Sequence, residues 1–145
     1  MTININIFNK SFIFTILIVT NFTLFGCSNQ TKLTCNQIRT IVTELNEKIE
    51  PALTSNDVGE IEAITQEFDT TSERLLTIKI NDDFLTQSTQ NLALIYQEYG
   101  NVTRKFLQAF TTKNTEDAIV SKETINQLFT KQKQLVTEID NYCQF

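Results

Sequence analysis

The stretch DFLTQSTQNLALIYQEYGNVTRKFLQA, residues 83–109, decides the fold that this sequence predicts. Apolar and small residues recur in it at alternating steps of three and four, at Leu85, Ser88, Leu92, Ile95, Tyr99, Val102, Phe106 and Ala109. This spacing places them on one face of an α-helix. Asn81, Asp82 and Asp83 offer an N-cap and negative charge for the free amides of the first turn. The stretch therefore predicts a long helix with one face in a core.

Two helices are predicted before this stretch. The first runs from about Cys35 to Glu50, with a capping box at Thr34 and Gln37 and an exit at Pro51. Its apolar stripe consists of Ile38, Ile41, Val42, Leu45 and Ile49. The second begins near Asn56 or Asp57, and its stripe consists of Ile61, Ile64, Phe68, Thr71, Leu75 and Ile78. Both stripes have the spacing of a helix that faces the inside of a bundle.

A fourth helix is predicted after this stretch, and its start is marked by residues 114–117, Asn-Thr-Glu-Asp. Its stripe consists of Ala118, Ser121, Ile125, Leu128, Gln132, Leu135, Ile139 and Tyr142. Flanking apolar residues are expected to broaden the buried stripes of the last two helices, namely Leu107, Phe110, Ile119, Phe129 and Val136. Because helices joined by short connections pack as antiparallel neighbours, we predict an all-α, up-down-up-down four-helix bundle over residues 35–145.

The N-terminal segment resembles a bacterial lipoprotein signal peptide over residues 1–26. A lone Lys10 precedes an apolar stretch, residues 11–25, which ends in Gly26-Cys27. Fifteen residues suit a signal peptide, whereas a membrane-spanning helix needs about 20. A retained N-terminal anchor helix is the alternative. The resemblance implies cleavage before Cys27. It also implies lipidation of Cys27 with a diacylglyceryl group and commonly an amide-linked chain such as palmitate. The implied location is extracytoplasmic, facing the periplasm or a lumen, in the outer membrane or another extracytoplasmic leaflet.

The charge of the chain argues against nucleic acid as a partner. From Cys27 onward the net charge is −6, because Lys10 is the one basic residue that precedes it and the whole chain carries −5. Nucleic acid and anionic lipid head groups both require cationic patches. Residues 27–34 are largely polar and predict a short lipidated tether between the membrane and the bundle.

Cys35 and Cys143 form a pair that predicts a disulfide. They open the first helix and close the fourth, and these two positions lie at the same end of an up-down-up-down bundle. An exported protein meets an oxidising compartment, and two cysteines remain once Cys27 is lipidated. The alternative is two unrelated buried thiols. A redox-active pair is disfavoured, because catalytic dithiols are usually close in sequence.

Catalytic and metal-binding constellations are absent from the sequence. The chain has no histidine, which removes the commonest general base, the commonest metal ligand and the Ser-His and Cys-His arrangements. Asp82 and Asp83 are adjacent and point about 100° apart in a helix, so they serve as cap and dipole partners better than as a facing carboxylate pair. We therefore predict no enzymatic activity, no catalytic residue, no metal site and no cofactor.

A low-specificity ligand pocket is predicted around Tyr96, Tyr99, Gly100 and Gln132. A glycine inside a helix costs about 1 kcal/mol relative to alanine, so Gly100 suggests a close backbone approach beside the two tyrosines. Gln132 lies on the stripe of the fourth helix and can hydrogen-bond into such a pocket. The alternative is a pair of core tyrosines, a tolerated glycine and a glutamine at a wet position of the bundle.

Three segments of the chain together resemble a known group of proteins. These are Ile-Asn-Asp-Asp-Phe-Leu at residues 80–85, the pair Tyr96 and Tyr99, and Val-Thr-Glu-Ile-Asp-Asn-Tyr-Cys at residues 136–143. With the signal peptide and a cysteine that opens the first helix, the sequence resembles small uncharacterised helical lipoproteins of cyanobacteria. The resemblance implies a membrane-anchored helical domain and carries no biochemical activity. The four-helix lipoproteins on the lumenal side of photosystem II are an analogy in size, anchor and helix count alone.

These observations favour a membrane-anchored extracytoplasmic lipoprotein that acts as a non-enzymatic interaction or accessory module. Its expected partners are the membrane, through Cys27, and another protein. The alternative function is a helical bundle that binds a small apolar ligand or pigment near Tyr96, Tyr99, Gly100 and Gln132.

Overall fold

The computed structural model describes residues 29–50 and 57–144, which form four α-helices. Helix α1 comprises residues 29–50. The others are α2, Val58–Leu76, α3, Asp83–Thr111, and α4, Thr115–Tyr142. The predicted signal peptide, the lipidation site Cys27 and the exit at Pro51 lie outside the described residues. None of the helices in the described part of the chain has the length and apolarity that crossing a membrane requires.

The helices form an antiparallel bundle in which sequence neighbours are also neighbours in space, as predicted. Helix α2 packs against α3, and α3 packs against α4. Helix α1 closes the ring, because Arg39 pairs with Asp140 of α4 and Arg74 of α2 pairs with Glu44. These ion pairs are solvent-exposed, so they contribute little stability. They serve to show which helices lie side by side.

Side-chain caps fix the starts of α2, α3 and α4. Asp57 accepts a hydrogen bond from the amide of Gly59, Asp82 from Leu85 and Asn114 from Asp117. Each cap satisfies one amide that the helix itself leaves free. The predicted starts of these three helices are therefore confirmed, with Asp57 rather than Asn56 as the cap of α2.

The start of α1 differs from its prediction. Residues 29–34, which we expected in a flexible tether, are helical, and Thr34 is buried inside the helix rather than capping it. A threonine is small enough to lie between packed helices, and seven other serines and threonines of the described residues are also buried. Polar composition was therefore a poor indicator of a tether.

The core is built from the predicted stripes. Its fully buried side chains come from three of the helices and include Ile38, Leu45, Leu75, Leu85, Leu92 and Tyr96. Other residues of the stripes, such as Ile49, Ile78 and Ile125, are partly buried and pack against this core. The core residues found among the described helices extend from Cys35 to Cys143.

A tight turn reverses the chain between α3 and α4. Lys113 adopts a left-handed conformation with φ 57°, and the amides of Lys113 and Asn114 donate to the carbonyls of Phe110 and Ala109. This is a Schellman arrangement, which satisfies carbonyls that the end of α3 leaves free. The turn brings the last residues of α3 and the first of α4 together at one end of the bundle.

The open end of the bundle as a candidate site

The bundle has one closed end, which we call the disulfide end. The Cys35–Cys143 disulfide joins α1 to α4 there, with 5.8 Å between the Cα atoms, and confirms the predicted pair. The hydroxyl of Tyr142 donates to the carboxylate of Asp82 over 2.7 Å, and the Tyr142 and Phe84 rings lie 4.4 Å apart. Hydrogen bonding to Asp82 also raises the pKa of Tyr142. Covalent, polar and aromatic contacts therefore join the helices at this end.

The opposite end, which we call the open end, contains a cavity of about 530 Å³ between all four helices. Its apolar walls are formed by Ile49, Ile61, Ile64, Phe68, Tyr99, Phe106, Ile125 and Phe129. Its polar lining consists of Asn46, Glu50, Thr103, Asn126 and Gln132. Mostly apolar pockets of roughly 300–1,000 Å³ with a few polar groups are typical of small-molecule sites. The cavity is therefore the candidate functional site.

Three aromatic rings form the wall between the cavity and the rest of the core. The ring of Phe68 lies 4.9 Å from that of Tyr99 and 6.2 Å from that of Tyr96, and both pairs are nearly parallel. Gln132, which lines the cavity, donates from Nε2 to the Tyr96 hydroxyl over 3.2 Å. Burial raises the pKa of Tyr96, and this hydrogen bond opposes the increase in part. Burial also raises the pKa of Tyr99, and the nearby Tyr96 adds to it.

The structure brings together part of the predicted pocket. Tyr99 and Gln132 line the cavity. Tyr96 does not line it but accepts a hydrogen bond from Gln132. Gly100 does not line the cavity. The sequence prediction missed Phe68, Thr103, Phe106 and Phe129 as lining residues. Three of these lie on the predicted stripes or beside them, but periodicity gave no sign that the space between them is empty.

Gly100 marks a close approach of α3 to α2. A Cβ atom on Gly100 would lie 2.6 Å from Asp69 Oδ1 and 3.4 Å from the Thr65 carbonyl oxygen. Asp69 is held in this place by Arg104, at 2.8 Å. The predicted close approach is therefore present, although it faces α2 rather than the cavity. The atom that a side chain at position 100 would meet most closely is Asp69 Oδ1, which belongs to a solvent-exposed carboxylate.

We expect Gly100→Ala to change the free energy of unfolding by less than about 0.5 kcal/mol, because two effects cancel. Alanine gains about 1 kcal/mol in helix propensity, while the displaced carboxylate loses an exposed ion pair of about 0–1 kcal/mol. In an Asp69→Ala background the same substitution is expected to stabilise the protein by about 1 kcal/mol. Urea unfolding of the four variants measures this. Destabilisation by Gly100→Ala in both backgrounds would instead mean that the Thr65 carbonyl requires the glycine.

A second hollow of about 700 Å³ lies between α1 and the end of α2, on the side of the disulfide end. Eight of its eleven lining residues are polar or charged, among them Gln30, Gln37, Arg74 and Lys79. It is a surface groove without an aromatic wall, so it has less of the character of a small-molecule site than the cavity between the four helices.

Exposed apolar side chains surround the tip of the α3–α4 hairpin. Phe110, Ile119 and Val120, which we call the hairpin tip, are 61%, 53% and 56% exposed, and Phe129 on the cavity wall is 61% exposed. The prediction that Phe110, Ile119 and Phe129 broaden the buried stripes is therefore wrong. Residues 49 and 50, at the end of described α1, line the cavity together with Ile125 and Phe129 of α4. Helix α4 begins at Thr115, so about 15 Å of it extends beyond the described end of α1.

Five lysines lie on the second half of α3, in the turn that follows it and on α4. Lys105, Lys113, Lys122, Lys131 and Lys133 form no ion pair with any described residue. Across residues 29–50 and 57–144, no three His, Cys, Asp or Glu side chains cluster closely enough to hold a metal ion. Comparisons of the chain with protein-family models, curated proteins and solved structures found no match.

Proposed function

We propose that this protein is an exported lipoprotein, anchored through Cys27, whose helical bundle is a non-enzymatic interaction module. The observation that carries the proposal is the exposure of Phe110, Ile119 and Val120 near the turn between α3 and α4, at the end opposite the disulfide. Exposed apolar side chains grouped in one place are typical of protein interaction sites. The disulfide supports an extracytoplasmic location, because such bonds persist in oxidising compartments.

The length of the bundle supports a protein partner rather than the lipid surface. Helix α3 has 29 residues and is about 43 Å long. A lipid on Cys27, two residues before the described start of α1, holds the disulfide end at the bilayer. With the bundle axis along the membrane normal, the hairpin tip would lie about 40 Å from the lipid head groups, given the rise of 1.5 Å per residue.

The charge around the tip indicates the chemistry of the partner. The sequence within three residues of the hairpin tip contains two lysines, Lys113 and Lys122, and three acidic residues, Glu116, Asp117 and Glu123. Complementary charge raises the rate and specificity of association. We expect the partner to present an apolar segment flanked by charges of both signs.

Photo-crosslinking in native membranes tests the proposal. A benzoylphenylalanine at position 110 is expected to give one dominant protein adduct, and Phe110→Ser/Ile119→Ser is expected to abolish capture of the same protein. Neither residue lines the cavity. Leu76→Ser/Leu94→Ser is the matched control, because both leucines are 60% exposed elsewhere on the bundle. It should capture the partner as the wild type does.

Two outcomes would contradict the proposal. One is equal capture of the partner by the tip variant and the wild type, which would place the interface elsewhere. The other is that the lipidated protein gives no more adduct than a Cys27→Ser chain, which keeps the bundle and lacks the lipid.

A further inference from the structure

We infer that the cavity at the open end binds an uncharged, mostly apolar small molecule that carries a hydroxyl, amine or carbonyl group. Helices α1 to α4 all contribute side chains to its wall, and its volume of about 530 Å³ is within the range of small-molecule sites. This site is separate from the hairpin tip, because Phe110, Ile119 and Val120 do not line it.

Two hydroxyl groups on its wall lack hydrogen-bond partners. Tyr99 and Thr103 are only 6% and 7% exposed, and neither side chain hydrogen-bonds to any described residue. In the described part of the chain, Thr89 Oγ1 is the sole side-chain polar atom that is both fully enclosed and without a hydrogen-bond partner. The Tyr99 and Thr103 oxygens have no partner either, so they are not fully enclosed and retain some accessible surface. Solvent can therefore reach both oxygens, and a ligand that displaces the solvent must supply hydrogen bonds in its place. A ligand in the cavity can supply the missing partner.

The two hydroxyl-bearing residues lie on the same face of α3. Tyr99 and Thr103 are four residues apart on α3, so they lie on the same helix face about one turn apart. Each hydroxyl can both donate and accept a hydrogen bond. A ligand hydroxyl, amine or carbonyl group therefore finds a partner at this point of the wall.

The rest of the lining indicates an apolar body. Phe68, Phe106 and Phe129 offer ring faces or edges, and four isoleucines complete the apolar surface. Burial of apolar ligand surface contributes roughly 25 cal/mol per Å². A flat or elongated apolar molecule gains most from walls of this kind, because aromatic rings stack on one another with a further preference for offset geometry.

The charge of the lining excludes anions. Glu50, which is exposed, is the one charged residue that lines the cavity among those described. A carboxylate or sulfonate inside the cavity would meet no cation and would lose its hydration without compensation. An uncharged ligand avoids this cost.

A pair of matched fluorescent probes tests the inference. The protein is residues 27–145 with Cys27→Ser, which contains the whole described core and avoids detergent. The probes are N-phenyl-1-naphthylamine and 8-anilinonaphthalene-1-sulfonate, which share one ring system and differ by the sulfonate. We expect saturable binding of one neutral probe per chain, with affinity at least about tenfold higher than for the anionic probe, because the sulfonate has no partner in the cavity.

Variants of the cavity wall locate the bound probe. Tyr99→Phe/Thr103→Val removes both hydroxyls with little change in volume and is expected to weaken neutral-probe binding about three- to tenfold, the range of one lost hydrogen bond. Tyr142→Phe/Thr137→Val removes the same groups outside the cavity and should leave binding unchanged. Thr103→Phe, provided that it unfolds cooperatively, fills the cavity and should weaken binding at least tenfold.

The inference is overturned if the neutral probe does not bind saturably, if the sulfonate binds equally well, or if the hydroxyl-free variant matches its control. The tip variant Phe110→Ser/Ile119→Ser retains every residue of the cavity wall but removes the ring that lies 6.5 Å from that of Phe106, so Ile119→Ser alone is the variant that tests the two proposals independently. Loss of capture with intact probe binding, or the reverse, thus separates the two proposals.

Discussion

Replacement of the bridged cysteines, as Cys35→Ala/Cys143→Ala, is expected to lower the free energy of unfolding by about 4 kcal/mol. The bridge closes a loop with a sequence separation of 108 residues. In the chain-entropy account a loop of this length restricts the unfolded chain strongly, and the limit is about 4.7 kcal/mol. For a domain of this size, the loss corresponds to a midpoint of thermal unfolding lower by roughly 15 °C.

Urea and thermal unfolding, with and without reductant, measure this effect. Reductant should destabilise the wild type to the level of the double-alanine variant and should not change the variant itself. Alanine is chosen because Cys35 and Cys143 are buried, at 3% and 6% exposure, and a serine would leave an additional hydroxyl there. If the free energy of unfolding of the oxidised wild type exceeded that of the variant by less than about 1 kcal/mol, the bridge would not restrict the unfolded chain as expected.

The sequence predicted those helix starts that depend on local chemistry. Asp57, Asp82 and Asn114 act as caps through contacts within three residues, and such contacts can be recognised from the sequence alone. The start of α1 was placed too late, because Thr34 resembled a cap. Its burial depends on neighbouring helices, which a local pattern does not describe.

The exposed apolar residues show a second limit of periodicity. Phe110 and Ile119 lie near a correctly predicted turn, yet their exposure depends on how far the neighbouring helices extend. A repeat of three and four residues gives the face of a helix and says nothing of the length over which another helix covers it.

The candidate site was predicted only in part for a similar reason. The sequence identified Tyr99 and Gln132 because both occupy unusual positions on a core-facing stripe. A cavity, in contrast, is the space left after Phe68, Thr103, Phe106 and Ile125 have packed in three dimensions. Packing density depends on all of these contacts together, so no single residue of the sequence signals a void.

Tyr96→Ala is expected to lower the free energy of unfolding by about 3–5 kcal/mol. Tyr96 is 0% exposed and is among the largest fully buried side chains of the described residues. Its loss removes the ring that stacks near Phe68 and Tyr99 and leaves a space that the disulfide-linked bundle cannot fully close. Urea unfolding measures the change. Tyr142→Ala, at a 42% exposed tyrosine, is the surface control and should cost about 1 kcal/mol.

Tyr96→Phe separates the ring from its hydroxyl. It keeps the packing and removes the acceptor of the Gln132 side chain, so we expect a loss of about 1 kcal/mol. In a double-mutant cycle with Gln132→Leu, the two changes should couple by a similar amount, since each removes the same hydrogen bond. Additive effects would mean that this bond contributes nothing to stability. A cost of Tyr96→Phe close to that of Tyr96→Ala would instead show that the hydroxyl, rather than the ring, holds α3 and α4 together at the cavity.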